Sequence, residues 1–259
     1  MSIKISIITV CYNAQACIES TIQSVLGQTY ADIEYILIDG NSKDHTLAII
    51  QKYALEAERK KYAYRWISES DKGIYDAMNK GLHLAKGDYV WFINAGDRIY
   101  TPETLQKVID GLYTTIFAMG TKKLPDSIYG DTALIDEQGR DLGLRSKRPP
   151  EILDFYSFSK GMLVCHQSIL IKREIASDYD LQYKIVADMD WVFKVLKIAK
   201  WNYNTHIILS SYLQGGFSKA NEKESWKERF KVMVKNYGYV RTLYYHLKIC
   251  YSHLCFLGK

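Results

Sequence analysis

Apolar positions in the first hundred residues alternate between two rhythms. Residues 3–10, Ile-Lys-Ile-Ser-Ile-Ile-Thr-Val, form a β-branched run that predicts a buried strand. Ile18, Ile22, Val25 and Leu26 then fall on one face of a helix predicted over about 15–27. Glu34–Asp39 predicts a second strand. Asn41-Ser42-Lys43-Asp44 follows as a turn and N-cap cluster opening a helix over 45–59. Tyr64–Ser68 predicts a third strand, 74–85 a helix, and Tyr89–Asn94 a fourth strand. This alternation is that of an α/β domain with a mostly parallel sheet.

The pattern then changes. Ser127–Ile135 and Leu142–Leu144 read as strands joined by a turn at Asp136-Glu137-Gln138-Gly139. Residues 162–171 predict a further strand, 188–199 a helix, and Ile207–Leu213 another strand ending at Gly215-Gly216. From Glu222 the chain is helical in pattern, basic and aromatic. The sheet is therefore expected to be mixed, with its later part building the second substrate's side of a cleft. No linker separates two independent domains.

Composition adds constraints. With 47% apolar and 24% charged residues in 259, the chain is an ordinary globular one, long enough for a substantial core. Cys11, Cys17, Cys165, Cys250 and Cys255 form no CxxC pair and no metal-like spacing, so reduced thiols are expected. The start of the chain lacks a signal-peptide pattern. No uncharged apolar run approaches the roughly 18 residues of a spanning helix. A cytoplasmic location is the expectation. The formal charge of +5 is uneven: from Lys219 onward nine Lys and Arg face three Glu, so the body is slightly acidic. That argues against nucleic acid as a partner of the body.

In open α/β sheets ligands bind beyond the carboxyl ends of the strands. Polar residues gather there: Thr9, Tyr12 and Asn13 after the first strand, Asp39, Asn41 and Ser42 after the second, Asn94, Gly96 and Asp97 after the fourth. Turn chemistry alone favours Asn, Asp and Gly at such places, but three such ends on one sheet edge point to a site.

Several of these segments are motifs. Ile-Ser-Ile-Ile-Thr-Val-Cys-Tyr-Asn-Ala at the start, Gln23–Thr29, Tyr35–Ser42, and Asp44 with Thr46 come first. The block Ser-Glu-Ser-Asp-Lys-Gly-Ile-Tyr-Asp-Ala-Met-Asn-Lys-Gly from Ser68 follows, then Gly87-Asp88-Tyr89 through Asn94-Ala95-Gly96-Asp97. In this order the chain resembles a family 2 glycosyltransferase of the GT-A fold, of the type that builds bacterial surface polysaccharides, including lipopolysaccharide. The resemblance is strong over 3–98 and recognisable to about 217. It implies a Rossmann-like nucleotide-sugar-binding domain over 1–218, with a nucleotide-sugar half (1–98) and an acceptor half (99–218). A basic aromatic helical tail (219–259) follows.

The resemblance implies a nucleotide-diphosphate sugar as donor. Thr9 and Asn13 would line the nucleoside pocket. Asp39 would bind base or ribose, against its alternative as an Asx-turn residue. Lys72, beside a helix start that favours anions, would contact base or phosphate. Asn79 is either a donor contact or a helix-packing residue. Asn94-Ala95-Gly96-Asp97 stands where the family carries its acidic metal motif. Only Asp97 is acidic; Gly96 replaces a frequent Asp. Asp97 is thus the implied ligand of Mg²⁺ or Mn²⁺, which neutralises the departing diphosphate, or else a cap of the following segment. Ala187-Asp188-Met189-Asp190-Trp191 resembles the family's acidic pair, with Asp188 the implied general base. Asp190 lies about 200° around the helix, and first-turn helix acids are the alternative for both. His166, in Cys165-His166-Gln167-Ser168, would touch acceptor or pyrophosphate, unless structural. Tyr129-Gly130-Asp131 would lie near the donor sugar, and Gly215-Gly216-Phe217-Ser218 would be a closing loop.

The expected activity is inverting transfer of a hexose from nucleotide-diphosphate sugar to a lipid-linked saccharide acceptor, at the inner face of an anionic membrane. There Lys227, Arg229, Lys231 and Lys235 with Trp226, Phe230, Tyr237, Tyr239, Tyr244, Tyr245 and Tyr251 would dock the tail; packing on its own domain is the alternative. A nucleotide-sugar-binding protein without turnover is the other functional reading, and paired carboxylates alone would also permit a glycoside hydrolase.

Overall fold

The computed structural model describes residues 2–59, 63–215 and 222–247. The first half follows the predicted order: β1 (Ile5–Cys11), α1 (Ile18–Leu26), β2 (Ile33–Asp39), α2 (Thr46–Arg59), β3 (Ala63–Ser68), α3 (Ile74–Leu84) and β4 (Tyr89–Phe92). Two elements then appear that the pattern reading left unassigned, the short β5 (Arg98–Ile99) and α4 (Thr104–Ala118). Buried Leu105, Val108, Ile109 and Leu112 give α4 its apolar stripe. The chain continues through β6 (Ser127–Ile135), β7 (Asp141–Leu144), β8 (Ile169–Lys172), α5 (Ala187–Ile198), β9 (Asn202–Leu213) and α6 (Glu222–Tyr237). Residues 239–247 are again helical.

The sheet runs β3-β2-β1-β4-β8-β6-β9-β5, with β7 paired to β6. β3, β2, β1 and β4 are mutually parallel, β8 is antiparallel to β4 and β6, and β6 is parallel to β9. It is the expected mixed sheet. Alternation along β1 feeds two cores: Ile5 and Ile7 join α1, α2 and α4 on one face, and Ile8 and Val10 join α3, α5 and α6 on the other.

One predicted strand is much shorter than its apolar run. Residues 162–171 were expected to be extended, yet β8 starts only at Ile169 and 166–168 form a 3₁₀ turn. The carbonyls of Met162 and Leu163 accept the Arg145 guanidinium at 2.8 and 3.0 Å. Their hydrogen bonds go to a side chain rather than to a neighbouring strand.

The C-terminal helices pack partly inward. Val232, Met233 and Tyr237 of α6 are buried in the same core as α5, and the Tyr237 hydroxyl donates to the Phe155 carbonyl at 2.6 Å. Tyr237 therefore serves packing, the alternative left open for the tail. Tyr251 lies outside the described residues. Tyr239, Val240, Leu243, Tyr244 and Leu247 remain exposed. Among the described residues no helix is long and apolar enough to cross a membrane.

Candidate active site

The carboxyl ends of the parallel strands open onto two cavities of about 720 and 400 Å³, which share Ile74, Tyr75, Asn94 and Ala95 as a wall. The larger is lined by the end of β1 and the start of α3, with Tyr12, Asn13, Cys17, Asp71 and Lys72 among its residues. The smaller holds Asn94, Asp97, His166 and Asp188 together. Six of the predicted residues thus reach the two cavities.

Three do not. Thr9 is fully buried between strands, donating to the Ile93 carbonyl at 2.6 Å, with the Tyr35 hydroxyl at 3.0 Å. It is part of the floor beneath the site and lines neither cavity. Asp39 is also buried. Its carboxylate accepts from the Ser42 amide at 3.1 Å, the Ser68 hydroxyl at 2.6 Å and the Ser42 hydroxyl, tying the ends of β2 and β3 together. The Asx-turn role is what this geometry displays. Asn79 clamps the backbone of Tyr179 from both sides, its amide donating at 3.1 Å and accepting at 2.7 Å. Its packing role is the observed one.

Two further expectations change in detail. The amides of Lys72 and Gly73, just before α3, are already engaged. Asp71 accepts from Gly73 N–H and Asp76 from Lys72 N–H, both at 2.9 Å. Tyr129 and Asp131 line neither cavity. The Tyr129 hydroxyl donates to the Glu151 carbonyl at 2.9 Å, and Asp131 holds Arg148 in a bidentate pair at 2.6 Å. Gly216, Phe217 and Ser218 of the expected closing loop lie outside the described residues.

In the smaller cavity Asp188 sits in the first turn of α5 and is only partly covered. One carboxylate oxygen accepts the Met189 amide at 2.8 Å and the Tyr75 hydroxyl at 3.3 Å. Burial pushes its pKa up to about 6, opposed by those hydrogen bonds. Asp190 turns the other way, 1% exposed, paired to Lys235 at 3.0 Å and Lys194 at 3.3 Å. The two acids of this motif therefore have separate surroundings.

Asn94–Asp97 is a tight turn closed by the Asp97 amide on the Asn94 carbonyl at 2.9 Å, with Gly96 at φ 98°. A turn of this kind requires positive φ at its third residue. A Cβ there would stand 2.8 Å from Leu213 Cδ2. The positive φ is what strains an aspartate at position 96, since the Leu213 methyl is the end of a flexible side chain. Asp97 is 4% exposed, accepting the Leu213 amide at 3.0 Å and the Gln167 side-chain amide at 2.7 Å. Burial pushes its pKa up to about 7. Beside it, Asn94 Oδ1 is buried without a hydrogen-bond donor. No group of three His, Cys, Asp or Glu capable of enclosing a metal exists among the described residues. One carboxylate and one orphan amide oxygen nevertheless suit a divalent ion that takes its other ligands from phosphate and water.

His166 lines this cavity but is held from behind. Its Nε2 lies 2.7 Å from the Tyr179 hydroxyl, and its ring packs against Phe92, Tyr179 and Trp191. Burial pushes its pKa down to about 3, so it is a neutral imidazole.

Four supporting residues escaped the sequence reading. Gln167 lies inside a recognised motif and Tyr75 inside another, but their roles depend on partners 70 and 113 positions away. Arg145, on the wall of the smaller cavity, had no local signal. Nor had Glu228 of α6, whose buried carboxylate accepts the amides of Lys184, Ile185 and Val186 at 2.8, 2.9 and 3.2 Å. It caps the turn that delivers Asp188. Replacing Glu228 by Ala leaves the buried amides of Ile185 and Val186 and the partly buried amide of Lys184 without this acceptor, and is expected to cost about 2–4 kcal/mol of stability, read by urea unfolding. An unchanged midpoint would contradict this capping role.

A PGL/p-HBAD biosynthesis glycosyltransferase of Mycobacterium tuberculosis is 28% identical over 235 residues, covering 89% of this chain and 85% of its own. An uncharacterized glycosyltransferase of Haemophilus influenzae is 26% identical over 261 residues, covering 96% and 95%. Among solved structures, S. aureus TarS 1-349 in complex with UDP-GlcNAc matches with a TM-score of 0.68 at 16% identity, over 98% of this chain and 73% of that one. The chain spans 43% of the longer TarS chain. The mannosyltransferase PcManGT from Pyrobaculum calidifontis, in complex with GDP-Man and Mn²⁺, matches with a TM-score of 0.65 at 14% identity, over 95% and 71%. These likenesses establish the GT-A type of fold. The model of glycosyl transferase family 2 matches residues 6–180, more than half of the sequence, and the chain belongs to that family.

Proposed function

We propose that this chain is an inverting glycosyltransferase that transfers a hexose from a nucleotide-diphosphate sugar to a lipid-linked saccharide acceptor in surface polysaccharide biosynthesis. The observation that carries the reading is the smaller cavity. It brings Asp188, a carboxylate tuned towards neutrality, to the same space as Asp97 and Asn94. The larger cavity takes the nucleotide: Tyr12, 62% exposed, offers a ring face for a base, and Asn13 and Lys72 offer polar contacts. The sugar then lies at the shared wall.

Asp188 accepts the proton of one acceptor hydroxyl as that oxygen attacks the anomeric carbon. The bond from that carbon to the diphosphate oxygen breaks, and its electron pair leaves with the nucleoside diphosphate. Attack opposite the leaving group inverts the configuration. Asp97 and Asn94 would hold Mg²⁺ or Mn²⁺, which when bound offsets charge on the departing diphosphate. A cytoplasmic setting at the inner face of an anionic membrane follows from the acceptor class. The exposed Tyr239, Val240, Leu243, Tyr244 and Leu247 are of the kind that seats in a lipid interface.

The test is release of free nucleoside diphosphate, across a panel of nucleotide sugars, only when acceptor is present. Donor binding without release would favour a binding protein that lacks turnover. The pH profile is a second check. Asp188 must be ionised to accept a proton, so kcat/KM should fall as pH drops through about 6. Asp97, raised to about 7 in the ligand-free protein, also gains a proton on the way down and steepens that limb. A flat profile from pH 8 to 5 would remove Asp188 as the base.

A further inference from the structure

Three cations gather around Met162 and Gly161 beside the smaller cavity, with no carboxylate paired to them among the described residues. Arg145 lines the cavity itself, its guanidinium fixed by the carbonyls of Met162 and Leu163. Beside Met162, Gly161 adopts φ 103°, and the space a Cβ would fill there is taken by the Arg229 guanidinium, with Lys147 Nζ 3.0 Å from the same point. Arg229 comes from α6 and Lys147 from the segment after β7. Arg229 lies 5.7 Å from the Trp226 ring, and its Nε is buried with no hydrogen-bond acceptor. None of the three pairs with a described carboxylate; the neighbouring Arg148, by contrast, is neutralised by Asp131. Partial burial, followed by the charges of Arg229 and Arg145, pushes the Lys147 pKa down to about 8.

Gathering like charges without a counterion opposes folding, and an unbonded buried guanidinium nitrogen adds to that cost. Such a cluster is matched by an anion with several acceptor oxygens. Its position fits the acceptor: it lies on the side of the cavity bounded by Met162 and Arg145, whereas Lys72 and Tyr12 belong to the other cavity. We propose that Arg145, Lys147 and Arg229 form a subsite for a phosphate or diphosphate group carried by the acceptor. The inference rests on reading the smaller cavity as the acceptor side. It adds that the acceptor is recognised through its phosphate as well as its sugar. Because Arg229 is on the same helix as Glu228, which caps the turn before Asp188, one element would both read the acceptor's charge and hold the base.

The experiment is calorimetric titration of the full chain with inorganic pyrophosphate and, separately, geranyl diphosphate, both in EDTA so that no divalent ion assists. Binding of either probe is expected, weakened about tenfold by the exposed Lys147→Gln and by Arg229→Gln, and unchanged by Arg148→Gln. It should also fade with added salt. Tighter binding of geranyl diphosphate than of pyrophosphate would identify a lipid carrier as the phosphate's source; equal binding would identify phosphate alone. Absence of binding by both probes would overturn the subsite, as would equal affinity in the wild type and both cluster variants, or a loss confined to Lys72→Gln. Since the titration needs no turnover, its outcome is independent of whether any nucleotide sugar is consumed, which tests the transfer reaction itself.

Discussion

Replacing Asp188 by Asn is expected to lower transfer about 10²–10⁴-fold, the usual cost of losing a general base, while leaving donor affinity intact. The substitution keeps the shape of the side chain. Its carbonyl oxygen can still accept the Met189 amide and the Tyr75 hydroxyl, so the turn at the start of α5 has no reason to move. What disappears is the charge that takes the proton. The donor-side cavity has no Asp188 in its wall, so nucleotide binding should be unaffected. The control is Asp190→Asn. Asp190 is buried against Lys235 and Lys194, and its neutralisation takes the carboxylate partner from Lys194 and leaves Lys235 with Asp180 alone. That variant should melt at lower temperature and retain its turnover per folded molecule. Normal turnover in Asp188→Asn, or a greater loss of turnover in Asp190→Asn, would reverse the assignment. Single-turnover assays alongside thermal melts separate the two effects.

Replacing Asp97 by Ala is expected to reduce transfer about 10²–10³-fold, on the scale of removing a preorganised group that stabilises developing charge, and to abolish a response to Mg²⁺ or Mn²⁺. Asp97 is the sole acid of its turn, and position 96 has a positive φ of 98° that favours glycine. No second carboxylate can compensate there. A pKa of about 7 in the ligand-free protein means that cation binding must displace a proton below that pH. Metal affinity, titrated by calorimetry in the presence of nucleoside diphosphate, should therefore weaken from pH 8 to pH 6 in the wild type and be lost in the variant. Full activity in EDTA would sink the metal role. Retained activity in Asp97→Ala with undiminished metal response would place the ion elsewhere.

Local information was enough for the first half of the fold. The continuous apolar runs of β1 and β2, buried along their whole length, the helical stripes of α1 and α3, and the turn residues between them are properties of neighbours in the chain, and their order defines a parallel α/β sheet. The same holds for the site's general location, since polar residues cannot be buried at strand ends without partners. The motif order also singled out Asp97 and Asp188, which now share one cavity.

Tertiary structure decided the roles. The family resemblance implies Thr9, Asp39 and Asn79 as donor contacts, with a turn or packing role open for the last two. Each forms hydrogen bonds with backbone or side chains brought in from distant strands and loops. No local pattern encodes whether a polar group meets a ligand or another part of the chain. The 162–171 run looked like a strand until Arg145, 17 positions before Met162, took its carbonyls. The raised pKa values of Asp97 and Asp188 come from burial, which is a property of the packed molecule. The meeting of Glu228 with the turn before Asp188, and of Arg229 with Lys147 and Arg145, depends on where α6 docks. Such contacts between segments far apart in sequence arise only once the two cores have formed around the sheet.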